Sequence, residues 1–415
     1  MGIPPGLTVF LYFAAGRGLI AAIRSELNNL PDMQTRPIKR LRMVADKNIP
    51  FLEGVLEGVA RVDYLPGAQI GPGHLRDADA LIVRTRTRCD ERLLAGSKVR
   101  CIASATIGFD HIDTAWCAAN GIYWTNAPGC NAGSVQQYVA SALACILERT
   151  HKPFRSLCLG IVGAGHTGAR VQAMARQLGI RTLVHDPPRQ RQEGPGEFVG
   201  LEDLLAEADV VSLHVPLNVT EPDKTLHMAG DGFCSRMKQG AWLINTSRGE
   251  VADTGALVKA LRSGRLGGAI IDVWEKEPRI SMELLQLADI ATPHIAGYSA
   301  DGKANGTARS VQALSRYFSL HLDTWRPTDI PQPTDPVVDI RQSFDGAEEL
   351  FIYLAGLTYD IRADSARLKQ DPDSFEKQRE DYPLRREPGA YTLLGKELRQ
   401  EQLQVVRALG FNSHL

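Results

Sequence analysis

Three ionisable side chains, Arg248, Glu277 and His294, each follow an apolar, β-branched run: AWLIN, GGAIIDVW and DIATP. Of the side chains, histidine has the ordinary pKa best placed to accept and return a proton near neutrality. A carboxylate beside it stabilises the imidazolium and holds the ring, and a guanidinium grips a carboxylate in two-pronged geometry. Together these groups suit oxidation of an alcohol next to an acid. His294 takes the hydroxyl proton as hydride leaves, Glu277 supports the ring, and Arg248 holds the acid and polarises the forming carbonyl. Singly they read as a turn arginine, a solvated loop charge and a structural histidine. They act together only if their runs are neighbouring parallel strands, whose carboxyl ends open on one crevice.

A site for a hydride acceptor lies upstream in SLCLGIVGAGHTG, where a buried run is followed by Gly163-Ala164-Gly165-His166-Thr167-Gly168 and the apolar-periodic VQAMARQLG. This is strand, glycine turn and helix, the context a dinucleotide fingerprint requires. Gly163 permits the tight turn, Gly165 lets backbone approach a pyrophosphate, and Gly168 allows close helix packing, while the helix start offers free N–H groups. Asp186, eighteen residues past Gly168, ends TLVHD, where a carboxylate accepts ribose hydroxyls and repels a 2′-phosphate. NAD is therefore expected over NADP, a preference that Arg189 and Arg191 weaken. No metal site is expected.

The run Val83-Arg84-Thr85-Arg86-Thr87-Arg88 follows another strand and supplies cations suited to a phosphate-bearing substrate. In an extended stretch Arg84, Arg86 and Arg88 face one way and Thr85 and Thr87 the other. Arg84 and Arg86 are the candidates for phosphate; a solvated basic loop is the plainer reading. In Thr106–Asp110, Gly108 lets backbone amides approach a substrate carboxylate.

The elements that must position these residues alternate as strand and helix. MVAD, ALIV, VRCIAS and GIYW end at Asp46, Val83, Ser104 and Trp124, with helices expected at Arg92–Ser97 and Thr114–Ala119. SVQQYVASALACILER reads as a helix crossing to a second unit, with Asn131 or Ser134 as its cap. Six more strands are expected to end near Val162, His185, His214, Asn245, Val273 and Thr292. The fold class is α/β, a doubly wound parallel sheet of the Rossmann kind with a second parallel-sheet domain. A helix from about Lys303 to Leu322 returns to that other domain, so the expected division is 41–134 with 296–325, and 135–295 between them. A Pro-rich linker at 326–336 precedes a module of mixed strand and helix signals, 337–415. Residues 1–40, with four prolines and no sustained periodicity, read as a disordered leader or a non-native start. Their LTVFLYFAA has signal-like length without a preceding basic residue, so export is not expected.

Composition narrows the partners. The 47 basic and 48 acidic residues nearly cancel, so no global field favours nucleic acid or an anionic membrane. The 7 scattered cysteines contain no Cys-x-x-Cys pair and suit a reducing cytoplasm rather than a disulfide framework. No apolar stretch reaches the roughly 20 residues that span a bilayer.

In SATIGFDHID, NAPGCNAGSV, GIVGAGHTG, SLHVPL, INTSRG, DVWEKEP and TPHIAGYS the chain resembles the D-isomer-specific 2-hydroxyacid dehydrogenases, from about Leu41 to Leu322. The resemblance implies a flavodoxin-like substrate domain beside the NAD domain, and catalysis by Arg248, Glu277 and His294. It implies NAD contacts from Asp186, Val215, Asp272 and Gly297, and substrate contacts from Thr85, Thr106 and Tyr298. The tail FIYLAGLTYDIRADSARL…LGFNSHL is similar to the small α+β dimerisation domain of one branch of the family. That branch implies a phosphorylated hydroxy acid as substrate and a cytoplasmic homodimer. Thr85, Val215 and Gln137 depart from the residues usual there (Ser, Thr and Glu). Thr85 keeps its hydroxyl, Val215 loses a side-chain donor, and Gln137 loses a charge. Competing readings are a family member acting on 3-phosphoglycerate or hydroxypyruvate, and a non-catalytic NAD-sensing protein.

Overall fold

Runs of Val, Ile, Leu and Ala between Gly, Pro and Asp form two parallel sheets, a third small sheet and the helices that cover them. The computed structural model describes residues 40–395 and 397–413. The leader expected over residues 1–40 lies, Arg40 apart, outside the described residues.

The first sheet contains β1 (Leu41–Asp46), β2 (Ala60–Leu65), β3 (Ala80–Val83), β4 (Cys101–Ser104) and β5 (Tyr123–Thr125), in the order β2-β1-β3-β4-β5. The β1/β3, β3/β4 and β4/β5 pairs are parallel, and the order is the flavodoxin-like one. β2 was not foreseen. Its ARVDYL lies on the sheet edge with Arg61 and Asp63 half-buried to exposed, so neither alternation nor an apolar run announces it. The helix expected at Arg92–Ser97 is a single turn, Glu91–Leu94, because Ala95 is already extended.

The second sheet contains β6 (Cys158–Val162), β7 (Arg181–His185), β8 (Val210–Leu213), β9 (Ala241–Asn245), β10 (Leu266–Ile271) and β11 (Ile290–Ala291), in the order β11-β10-β9-β8-β6-β7. All its pairs are parallel, and a bridge from Val184 to Phe198 extends it past β7. Register aligns the carboxyl ends: Val162 pairs with His185 and Leu213, Leu213 with Asn245, Asn245 with Ile271, and Ile271 with Ala291. Whatever follows these six residues therefore falls on one edge.

Two long helices, Ala132–Thr150 and Ala300–Phe318, connect the sheets. The second packs on β4, and a methyl group at Gly306 would overlap the carbonyl oxygen of Ala105. It starts three residues before the expected Lys303, because Ser299 caps it through the amide of Gly302. Asn131 occupies the cap position of the other helix, yet neither it nor Ser134 makes a capping bond. Ser134 is drawn away to Ser299 (2.5 Å) and Glu387 (2.9 Å).

The tail carries β12 (Val337–Ile340), β13 (Thr392–Gly395) and β14 (Asn412–Ser413) as a parallel three-stranded sheet. Its helix Ala347–Thr358 packs on Ala132–Thr150, Gln400–Leu409 on His166–Gln177, and Ile361–Gln370 on β11. Leu350, Phe351 and Leu354 join Tyr138, Leu143 and Ile161 in one apolar core, so the tail is continuous with the second sheet's interior. Gln137 belongs to this seam: its Nε2 donates to the carbonyls of Arg386 (2.9 Å) and Thr358 (3.4 Å), bonds that a carboxylate cannot donate. Among the described residues no helix is long and apolar enough to cross a membrane.

Candidate active site

His294 Nδ1 lies 2.8 Å from Glu277 Oε2. The second carboxylate oxygen of Glu277 accepts from the amide of Trp274 at 2.9 Å, so the group that orients the ring is itself held. Burial alone pushes the Glu277 carboxyl up. Hydrogen bonding and charge from His294, the Trp274 amide and the charge of Arg379 outweigh it and hold the group below the ordinary carboxylate value.

The ring's place is set by the strand ends beneath it. His294 has φ +58°, a left-handed conformation that a non-glycine residue adopts only when its surroundings impose it. Its amide donates to the carbonyl of Asp272 (2.7 Å), while the Asp272 carboxylate accepts from the amides of Ile295 (2.7 Å) and Ala296 (2.9 Å) and from Thr292 Oγ1 (2.7 Å). Asp272 thus templates the turn that presents His294. Burial raises its carboxyl against the pull of His294 and these bonds. Tyr138, fully buried, closes the set through its 2.7 Å bond to Thr292.

Arg248 follows β9 in the loop next to Glu277. A methyl group at Gly249 would overlap the backbone of Trp274, so only glycine allows the two loops this approach. The guanidinium is 3.5 Å from Asp110 Oδ2, and a methyl group at Gly108 would stand 2.7 Å from Arg248 Nη2. Arg248 therefore faces the Thr106–Asp110 loop of the first sheet. That loop is braced by Thr106 Oγ1, which donates to the Gly108 carbonyl at 3.0 Å, and by Asn126, which donates to that of Ile107 at 2.7 Å.

The cofactor cradle has the space the fingerprint demands. Gly163 has φ +90°, and a methyl group on it would stand 2.8 Å from the backbone of His214 and from Val215. At Gly168 a methyl group would overlap the carbonyl oxygen of Gly163, whereas Gly165 faces open space. His166 lies against Gly129, and Thr167 is half-buried in the first helical turn. Asp186 bonds the amides of Ala164 (2.7 Å) and Arg189 (3.0 Å), which fixes its carboxylate beside the glycine turn. Arg189 is tied to Glu193 and Arg191 to Asp223, so the two cations that weakened the NAD preference are neutralised. Gly297 presses on Asn131, leaving no room for a side chain.

On the substrate side, Arg84–Arg88 is a turn, so the alternation expected of an extended run is absent. Thr87 is buried and donates to the Gly67 carbonyl, Arg84 Nη1 donates to that of Asn48 (2.8 Å), and Arg86 pairs with Glu376 (3.1 Å) and Glu380 (2.7 Å) of the tail. Thr85 is exposed at the turn. Tyr298 is half-buried, with Arg379 Nη2 donating to its hydroxyl at 3.2 Å.

Residues 146–296 match the D-isomer specific 2-hydroxyacid dehydrogenase, NAD binding domain, and residues 330–410 match a domain of unknown function. A relative in Bacteroides fragilis, named erythronate-4-phosphate dehydrogenase, is 48% identical over 355 residues, 85% of this chain and 99% of that protein. The chain belongs to the D-isomer specific 2-hydroxyacid dehydrogenases. A relative of the same name in Porphyromonas gingivalis is 40% identical over 90% of this chain and all of its own length. Among solved structures, D-lactate dehydrogenase from Aquifex aeolicus, with NAD and lactic acid bound, superposes with TM-score 0.57 at 27% identity, over 68% of this chain and 96% of that one.

The fold brings Glu277 to His294 and the Arg248 loop against the Glu277 loop. Two further cations, Lys303 and Arg379, stand at the same cleft and were not foreseen. Lys303 lies five residues past Tyr298 in TPHIAGYSADGKANGT, a spacing from which a cation on the substrate side was readable. Arg379 had none, since only tertiary packing brings SFEKQRED to the cleft.

Proposed function

We propose that the chain is an NAD-dependent erythronate-4-phosphate dehydrogenase that oxidises 4-phospho-D-erythronate to (R)-3-hydroxy-2-oxo-4-phosphooxybutanoate, a step toward pyridoxine 5′-phosphate. The observation that carries this reading is the 2.8 Å His294–Glu277 pair on the aligned strand ends, next to the dinucleotide turn. His294 Nε2 takes the proton of the C2 hydroxyl, and the Glu277 carboxylate stabilises the imidazolium that results. Arg248 pairs with the substrate carboxylate and draws electron density toward the forming carbonyl. Amides and hydroxyl of the Thr106–Asp110 loop, with Thr85 and Tyr298, line the substrate side. NAD, when bound, accepts the hydride; Gly163, Gly165 and Gly168 with the following helix start would hold its pyrophosphate, and Asp186 its ribose. Val215 and Gly297 border the cradle, and Asp272 acts there by shaping the His294 turn. The enzyme works in the cytoplasm as a homodimer joined through residues 337–415, with residues 41–134 and 296–325 as its substrate domain and 135–295 as its NAD domain.

Purified protein given NAD and, in parallel, 4-phospho-D-erythronate, 3-phosphoglycerate and D-glycerate should form NADH fastest with the first. His294→Asn should lower kcat by about 10²–10⁴-fold, the usual contribution of a positioned base. NAD binding with no turnover on any of the three would favour the sensor reading, and preference for 3-phosphoglycerate the alternative substrate.

A further inference from the structure

Tyr298 is ringed by positive charge. Lys303 Nζ stands 5.0 Å from its ring centroid and the Arg379 guanidinium carbon 5.7 Å, with Arg379 Nη2 bonded to its hydroxyl. These cations come from different elements: Lys303 from the helix Ala300–Phe318, Arg379 from the tail helix Phe375–Glu380. Arg84, at the carboxyl end of β3, and Arg385, from the tail, add their charges to Lys303.

Their charge is answered only in part within the described residues. Lys303 makes no side-chain hydrogen bond or ion pair there beyond its approach to the Tyr298 ring. Arg379 Nε is buried without a partner, and the nearest carboxylate, Glu277, is 3.9 Å from Nη1 and already holds His294 and the Trp274 amide. Arg84 gives its one bond to a backbone carbonyl. Arg385 Nε and Nη1 are buried and unpartnered as well. Arg84 and Arg385 repel the Lys303 charge in partly desolvated surroundings, and the unpartnered buried donors of Arg379 and Arg385 each carry a penalty. Burial, with the charges of Arg84 and Arg385, accordingly pulls the Lys303 ammonium down to about 8. An anion arriving among these groups relieves both costs. Arg86 differs, because Glu376 and Glu380 neutralise it; that pairing anchors the tail helix that carries Arg379.

We propose that Lys303, Arg84 and Arg379 form the subsite for the substrate's phosphate, so that the tail supplies a specificity residue to the active site of its own chain. The inference rests on the erythronate-4-phosphate reading for its substrate and on the cation cluster for its place. An ammonium and two guanidinium groups suit a tetrahedral dianion, and the chemistry matches a phosphomonoester better than a second carboxylate.

The test uses the whole enzyme and the variants Lys303→Gln and Arg379→Gln, with Lys303→Arg and Arg379→Lys as charge-keeping controls. The ratio of kcat/KM for 4-phospho-D-erythronate to that for D-erythronate should fall about ten- to a hundredfold in each Gln variant, the loss expected for a hydrogen bond to a charged group, and recover in part in the controls. Inorganic phosphate, titrated calorimetrically, should bind the parent protein and weaken by a similar factor in the Gln variants. An unchanged ratio, or phosphate affinity equal in parent and variants, overturns the subsite. If the parent does not oxidise 4-phospho-D-erythronate, the functional reading fails; the phosphate titration still decides the cation cluster.

Discussion

At the scale of single residues, the site divides into groups that are already satisfied and groups that wait for a ligand. Glu277 and Asp272 belong to the first kind, since each carboxylate accepts from backbone amides as well as from the side chain it serves. Lys303 belongs to the second, and its displaced titration gives a prediction with a definite sign. The ammonium is charged below about 8 and loses its proton above it. Arg84 and Arg385 are the charged groups that face it, and a phosphomonoester, whose second pKa is near 6, stays dianionic in this range. KM for the phosphorylated substrate should therefore rise as pH passes through about 8, by up to about tenfold per pH unit, as proton linkage requires. Initial rates across that interval check it. Lys303→Gln should show a high KM that no longer follows pH there, and a parent profile as flat as that of the variant would exclude Lys303 from phosphate binding.

At the scale of elements, the strand-to-helix turn after β6 sets a glycine that holds the fold apart from one proposed to admit the cofactor. At Gly168 a methyl group would overlap the Gly163 carbonyl, so Gly168→Ala should destabilise by about 1–3 kcal/mol, as overpacking does. At Gly165 nothing in the chain stands in the way, so Gly165→Ala should leave Tm unchanged while raising KM for NAD about tenfold or more, its methyl group standing where the pyrophosphate must approach. Melting curves and NAD titrations of the pair distinguish the two roles. The turn was legible because its constraint is local: strand, glycines and helix are adjacent in sequence. Arg248, Glu277 and His294 were legible for a related reason, since parallel register brings strand ends to one edge whatever the loops do. The edge strand β2 was not, because its charged ARVDYL hides the pattern, and the Arg84–Arg88 turn was not, because Thr87 is pulled inward to Gly67. Arg379 lies outside local reading altogether; its place depends on a tail helix meeting Arg86 from nearly three hundred residues earlier.

At the scale of the whole molecule, the tail has work to do inside its own chain. Its apolar helix Ala347–Thr358 completes the core over Ala132–Thr150, and Arg386 holds Asp301 through two bonds of 2.9 and 3.0 Å. Glu387 accepts from both Ser134 and Ser299, at the starts of the two helices that join the sheets. A module whose only task was to join two subunits would have no need of such contacts, nor of an arginine beside Tyr298. Yet the same module leaves Val337 and Leu394 exposed on its small sheet, where β12 is an edge strand. Exposed apolar edges invite pairing, which suits the proposed homodimer. The two tasks can be separated. Light scattering should give the parent protein about twice the 45.4 kDa of one chain, and Val337→Lys combined with Leu394→Lys should move it toward the monomer. Because Glu277, His294, Lys303 and Arg379 all come from one chain, that monomer should keep its preference for the phosphorylated substrate, measured as the kcat/KM ratio. A monomer that turns over D-erythronate but has lost the preference would mean that the phosphate subsite is completed only by the second subunit.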